Sequence, residues 1–282
     1  LVCDATGSIE DPPPLDDALQ LDFANRFIGG GVLRRGCVQE EIRFLICPEL
    51  IVSCLFTEVM ADHEAVLIRG FERYSSYSGY SASFAYAGHH EPLAWAGETA
   101  RPPTTLLAID AAHFRRDAHA RQWELLMIQR ELNKAYAGFS DEGRCKEARA
   151  AQSSSSSLAT DRRPGVRTGN WGCGAFGGDV QLKAIVQLLA ASRAQRPEVA
   201  FISYGDADFA SALQRTWDQL AGAGATVGDV AQWLALFAPD RWPKARVAGM
   251  FDLFGYLKAK AQDSAAAGAS EAWPQEPAVA AG

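Results

Sequence analysis

Metal-binding spacing is missing from this 282-residue chain. Its six cysteines (Cys3, Cys37, Cys47, Cys54, Cys145, Cys173) form no CxxC pair, and its five histidines, with His89 and His90 adjacent, show no HExxH spacing. No metal and no cofactor is expected on that basis. Six cysteines are also too sparse for a disulfide scaffold, so reduced thiols in an intracellular compartment are the simpler reading. No apolar run approaches the roughly 20 residues of a membrane span, so no membrane partner is expected. Positive charge is short: 27 Lys and Arg against 34 Asp and Glu leave a net charge of −7. That argues against a direct nucleic-acid partner bound through a broad basic surface. It leaves open an anionic ligand held by backbone amides and helix N-termini. The chain opens on Leu1 with no basic-then-apolar leader and reads as a piece of a longer protein, so its start carries no reading of targeting signals.

What is present suffices for a sizeable core. Nearly half the residues are apolar, and the length suits one large domain or two small ones. Residues Ile9–Asp17 read as an extended loop and Leu19–Phe23 as a strand. A helix is predicted from Gln39, with Ile42, Leu45 and Ile46 on one face, and a second buried helix over Glu49–Met60. Ala65–Arg69 and Thr104–Asp110 read as buried strands. Trp123–Tyr136 reads as an amphipathic helix with Leu125, Ile128, Leu132 and Tyr136 on its apolar face. A low-complexity loop, 150–165, contains Ser153–Ser157. Then follow a glycine-rich turn (Gly169–Gly178), a helix (Val180–Arg193), a strand (Val199–Tyr204) and helices over Asp208–Leu220, Val227–Phe237 and Val247–Lys260. Residues 263–282 are alanine-rich and expected to be a disordered tail. The alternation indicates an α/β fold with helices on both faces of a sheet.

The stretch Leu19–Glu41 carries the most information. Three consecutive glycines, Gly29, Gly30 and Gly31, forfeit all side-chain packing and maximise the entropy lost on ordering. Such a run is tolerated where backbone approaches a ligand closely or takes positive φ. After a spacer of seven residues come Gln39, Glu40 and Glu41, which include a carboxylate pair suited to general acid/base chemistry. Adjacent helical residues point about 100° apart, so the two acids cannot face one atom. Asp22 and Asn25 end the preceding strand, where turn chemistry alone would explain them. The Gly169–Gly178 turn, with Gly172, Gly174, Gly177 and Gly178 just ahead of a helix, offers exposed amides for a phosphate, although alone it is a weak motif. Tyr80 lies in a Tyr-, Ser- and Gly-rich run that suggests a ligand-covering loop, expected to move on binding.

The glycine triplet, short spacer and Gln-Glu-Glu resemble the signature of the poly(ADP-ribose) glycohydrolase family. GSIED at Gly7–Asp11, YSSYSGY at Tyr74–Tyr80, TGNWGCGAFGGD at Thr168–Asp179 and ISYGD at Ile202–Asp206 extend the resemblance, with gaps, from Gly7 to Asp206. It implies a catalytic macrodomain over residues 1–262, a mixed sheet flanked by helices with the ligand cleft at the carboxyl edge. By resemblance Glu41 is the acid/base, Glu40 holds the ribose hydroxyls, Asp22 supports the site and Asn25 contacts the distal ribose. Gly29, Gly30, Gly31 and Gln39 are implied to contact substrate. Gly172, Cys173, Gly174 and Ala175 would serve the diphosphate, Phe176 the distal ribose and Asn170 the adenosine side. Tyr80 and Tyr204 would flank the adenine, whose edge Glu10 and the Ile9 backbone would read. Tyr204 stands where the family often has Phe, a departure that preserves stacking.

The implied reaction is hydrolysis of ribose–ribose O-glycosidic bonds in poly(ADP-ribose) on modified proteins, by a monomer, in nucleus and cytoplasm, as part of the DNA damage response. A helix N-terminus favours the ionised carboxylate, so a protonated Glu41 is expected only with substrate bound. Two other readings are a non-catalytic ADP-ribose reader and an enzyme for single protein-linked units. A reader has no need of paired acids, and the covering Tyr80 loop suits the polymer better. The family's helical accessory region, ahead of the macrodomain core, is expected to be largely absent.

Overall fold

The structure is a computed structural model and describes residues 1–11, 18–91, 104–114, 116–140, 163–237 and 252–270. The low-complexity loop at 150–165 falls almost wholly outside them, as do Cys145, residues 12–17, the start of the helix predicted from Val247 and the tail beyond Ser270.

Six strands form one sheet in the order β1-β8-β7-β2-β6-β3. They are β1 (Val2–Asp4), β2 (Leu19–Ala24), β3 (Val66–Arg69), β6 (Thr105–Asp110), β7 (Val166–Gly169) and β8 (Val199–Ile202). All neighbours are parallel except β3, which runs antiparallel to β6. β6, β7 and β8 are buried at every position, as parallel strands covered on both faces must be. Alternation along β6 shows the two layers: Leu107 and Ile109 belong to one core, Leu106 and Ala108 to the other. The first core takes helices α2 (Leu125–Phe139), α3 (Val180–Arg193), α4 (Ala207–Gly222), α5 (Val227–Leu236) and α6 (Leu253–Ser270). The second takes α1 (Gln39–Ile46) and the 3₁₀ segment Pro48–Leu55. The fold is therefore the expected mixed sheet between helices. Among the described residues no helix is long and apolar enough to cross a membrane.

Several elements differ from the sequence reading. Glu49–Met60 is not a buried α-helix: a 3₁₀ helix spans Pro48–Leu55 and buries only Leu50. Three residues per turn cannot sustain a 3.6-residue apolar stripe. β3 is a half-buried edge strand rather than a buried one. Leu45 is 40% and Leu125 50% exposed, because α1 and α2 turn charged residues inward (Glu40, Glu41 and Arg43; Glu131 and Lys134), which displaces the apolar face. β8 stops at Ile202, leaving Tyr204 in a turn. α6 starts at Leu253 and continues to Ser270, into the stretch read as a tail. The short β1 and the hairpin of β4 (Ser75–Ser78) and β5 (Ala85–His89) were not anticipated. Three to five residues of Ser, Tyr and Ala carry little alternating pattern.

Candidate active site

Because β2, β6, β7 and β8 are parallel, the loops after Ala24, Asp110, Gly169 and Ile202 leave the sheet at one edge. A cavity of about 730 Å³ opens there. One wall is the end of β2 and the first turn of α1, with Asn25, Val38, Gln39, Glu40 and Glu41. The opposite wall is the Asn170–Phe176 loop and Val180 at the start of α3. Glu10, Tyr77, Gly79, Tyr80 and Tyr204 also line it.

The glycine triplet serves the acids. Gly29 N–H donates to Glu40 Oε1 at 2.6 Å, and Asn25 N–H donates to Glu40 Oε2 at 2.9 Å. Gly31 N–H donates to Glu41 Oε1 at 2.8 Å, and Val38 N–H donates to Glu41 Oε2 at 2.9 Å. Every carboxylate oxygen of the pair therefore accepts a backbone N–H. Gln39 ties α1 to β2, accepting from Phe23 N–H at 2.7 Å and donating to the Leu21 carbonyl at 3.1 Å. The close approach that the glycines permit is to protein. A Cβ on Gly30 (φ +51°) would lie 2.6 Å from an oxygen of each glutamate, and one on Gly36 would lie 2.5 Å from Glu41 Oε1. Gly29, Gly30 and Gly31 do not line the cavity. In this structure they support the acids that face it.

Asp22 is fully buried beneath this turn, and neither of its oxygens has a hydrogen-bond partner among the described residues. Burial raises its carboxyl pKa, and the Glu41 charge adds to the rise against the pull of Arg43. Glu40 is also raised, by burial and then by the Asp22 charge, with the Asn25 and Gly29 N–H groups opposing. Arg43, buried one turn along α1, bonds Gln20 and lies over the Phe71 ring at 5.3 Å. Asp22 does not reach the cavity.

The Asn170–Gly178 loop is built the other way. Its turn is closed by Cys173 N–H to Asn170 O (3.0 Å), Gly177 N–H to Gly174 O (3.2 Å) and Gly178 N–H to Gly172 O (2.9 Å). The amides of Gly174, Ala175 and Phe176 bond nothing among the described residues and belong to cavity-lining residues. Free consecutive N–H groups beside the N-terminus of a 14-residue helix make an anion cradle. Gly172 adopts φ +74°, where a Cβ would strike Ala111 at 2.5 Å. Beneath the loop, Trp171 is fully buried and its indole N–H donates to Ile109 O at 2.9 Å. Lys183 is buried below it as well. Its ammonium pairs with Glu131 and lies 4.3 Å from the Trp171 ring centroid. Cys173 lines the cavity with its thiol pushed up by burial.

The aromatic end gathers Tyr77, Tyr80, Tyr204 and Glu10. Tyr204 takes φ +52° in the turn after β8, a costly geometry for a non-glycine residue, and its ring lies against Gly169. Tyr80 is 54% exposed and lines the cavity together with Gln39 and Glu41 of α1, and burial of its hydroxyl raises its pKa. Tyr77 was not singled out from sequence, yet its hydroxyl donates to Glu10 Oε1 at 2.5 Å. It sits three residues before Tyr80 in the same run, which was the available signal. Ile9 is buried and does not line the cavity. The Ser8 carbonyl beside it accepts from Arg167 at 2.9 Å. Among the described residues no cluster of His, Cys, Asp and Glu could hold a metal ion.

Comparison with known proteins agrees with this geometry. Residues 1–211 match the model of the poly(ADP-ribose) glycohydrolase family, with its macro domain fold. The chain is similar to poly(ADP-ribose) glycohydrolase 1 of Arabidopsis thaliana, at 36% identity covering 87% of this chain and 53% of that protein. It is 35% identical to probable poly(ADP-ribose) glycohydrolase 2 of the same plant, over 87% and 50% of the two chains. To poly(ADP-ribose) glycohydrolase 1 of Caenorhabditis elegans it is 35% identical, over 74% and 26%. The chain spans about half the length of the two plant relatives.

Proposed function

We propose that this chain, which belongs to the poly(ADP-ribose) glycohydrolase family, hydrolyses the ribose–ribose bonds of poly(ADP-ribose) and releases ADP-ribose. One observation carries the reading: a carboxylate pair held at every oxygen by backbone N–H groups faces, across one cavity, a loop with three free amides. The free amides suit a diphosphate, and the acids suit the sugar bond beyond it. In the proposed step the Glu41 carboxyl gives its proton to the departing ribose oxygen as the bond to the anomeric carbon breaks. Water then adds to that carbon and returns a proton to Glu41, leaving a free anomeric hydroxyl. Glu40 orients the reacting ribose through its hydroxyls. Family resemblance alone supports polymer on modified proteins as the substrate, a monomer as the acting form, and the nucleus, cytoplasm and DNA damage response as the setting.

Glu41→Gln tests the reading. It keeps shape and one acceptor but removes the proton donor, so polymer cleavage should fall by about 10²–10⁴-fold while ADP-ribose affinity by calorimetry stays within a few-fold. Near-normal cleavage by this variant would remove Glu41 from the chemistry.

A further inference from the structure

The loop that seats the two acids has an outer face of opposite charge to the chain. Between Asn25 and Cys37 stand Arg26, Arg34 and Arg35 and no acidic residue, on a protein of net charge −7. All three are exposed, and none makes an ion pair or side-chain hydrogen bond with a described residue. Phe27 and Leu33 stand out beside them, 64% and 73% exposed.

This face is fixed to the acids. Arg34 and Gly36 both donate their N–H to Gly31 O, at 2.8 and 3.0 Å, while Gly31 holds Glu41. Gly36 is packed against Glu41 so closely that no Cβ fits. The Cα atoms of Arg35 and Arg34 therefore lie within about 4 and 8 Å of the Gly36 Cα. Arg26 follows Asn25, whose N–H holds Glu40. None of the three arginines lines the cavity, so a single ADP-ribose bound there leaves them unused.

A polymer does not end at the bond that is cut. If the bond lies at Glu41, the departing unit continues past the glycine loop, carrying a diphosphate and an adenine. We propose that Arg26, Arg34 and Arg35, with Phe27 and Leu33, form a binding site for the ADP-ribose unit on the leaving side of the scissile bond. The arginines take its diphosphate through charge-assisted, two-pronged hydrogen bonds, and the apolar side chains take the face of its base. The inference rests on the polymer-cleaving reading, because it needs a chain that passes Glu41.

The test uses Arg34→Ala combined with Arg35→Ala. Both side chains are exposed and make no ion pair or side-chain hydrogen bond with a described residue, so the fold should be unaffected. KM and kcat on purified long poly(ADP-ribose) are measured at low and moderate salt, with ADP-ribose affinity measured in parallel. KM for polymer should rise roughly tenfold and lose part of its salt dependence, while kcat stays within about twofold and ADP-ribose affinity is unchanged. Unchanged polymer KM and salt dependence overturn the site, as does an equal loss of ADP-ribose affinity. Binding of the same polymer to Glu41→Gln protein, with and without the arginine changes, reads the site without turnover. A wild type that fails to cut polymer thus refutes the activity, and undiminished polymer binding by the arginine variant refutes the site. Single-stranded RNA of matched charge is the competitor. If RNA binding, but not polymer binding, falls with the arginines, the face serves nucleic acid and the proposal is wrong.

Discussion

At Gly30 a side chain would have to share space with an oxygen of each glutamate, 2.6 Å away in both cases. The backbone there, at φ +51°, also disfavours any β-branched residue, at a cost of order 1–3 kcal/mol. Gly30→Val should therefore cut polymer cleavage by at least about 10²-fold, the typical worth of a positioned acid/base group, and lower the melting temperature. Wild-type cleavage by a folded Gly30→Val protein would show that the triplet does not set the acids. The sequence places the glutamates and the glycines in one short motif. It could not say that the amides point at the carboxylates, because a glycine run is permissive about direction. Gly36, five residues after Gly31, belongs to the same arrangement and looked like an ordinary spacer residue.

Elements with one strong period were legible. α3 was read with the ends it has, and β2 and β6 each to within a residue, since long apolar runs and alternation survive any partner. Elements that bury charge were not, and α2 shows why. Its inward face carries Glu131 and Lys134, which pair with Lys183, Arg130 and Asp110 beneath the anion loop. Lys183 also shapes that loop: its stem lies where a Cβ on Gly178 would fall, 2.8 Å away, and its ammonium lies 3.2 Å from the Cβ position of Gly172. Lys183→Met keeps the length and removes the charge, leaving Glu131 Oε2 buried without its cation. Breaking a buried pair costs about 3–5 kcal/mol, so denaturant unfolding should show a loss of that order. ADP-ribose affinity should fall with it, because the loop that offers the free amides rests on Lys183. An unchanged unfolding midpoint would mean that the pair is not held in the folded protein.

For the whole molecule the α/β class followed from alternating elements and the carboxyl-edge cleft from the family resemblance, whereas the inward charges became visible only once β2 and α1 were brought together. Asp22 is the clearest case. Burial takes its carboxyl pKa to about 8, while in the unfolded chain it titrates near 3.9. Between those values the folded protein binds a proton that the unfolded chain has lost, so this group makes stability fall as pH rises through that window. Below about pH 4 it is protonated in both states and makes no difference. Above about pH 8 the penalty is complete and constant. Glu40, raised by the same burial and by Asp22 itself, slopes the same way. Asp22→Asn removes one titration and relieves Glu40 of a neighbouring charge. The urea midpoint of the wild type relative to the variant should therefore decline steadily from pH 5 to pH 8. Parallel midpoint curves over that range would show that Asp22 stays ionised beside Arg43, and that no proton is stored beneath the acids.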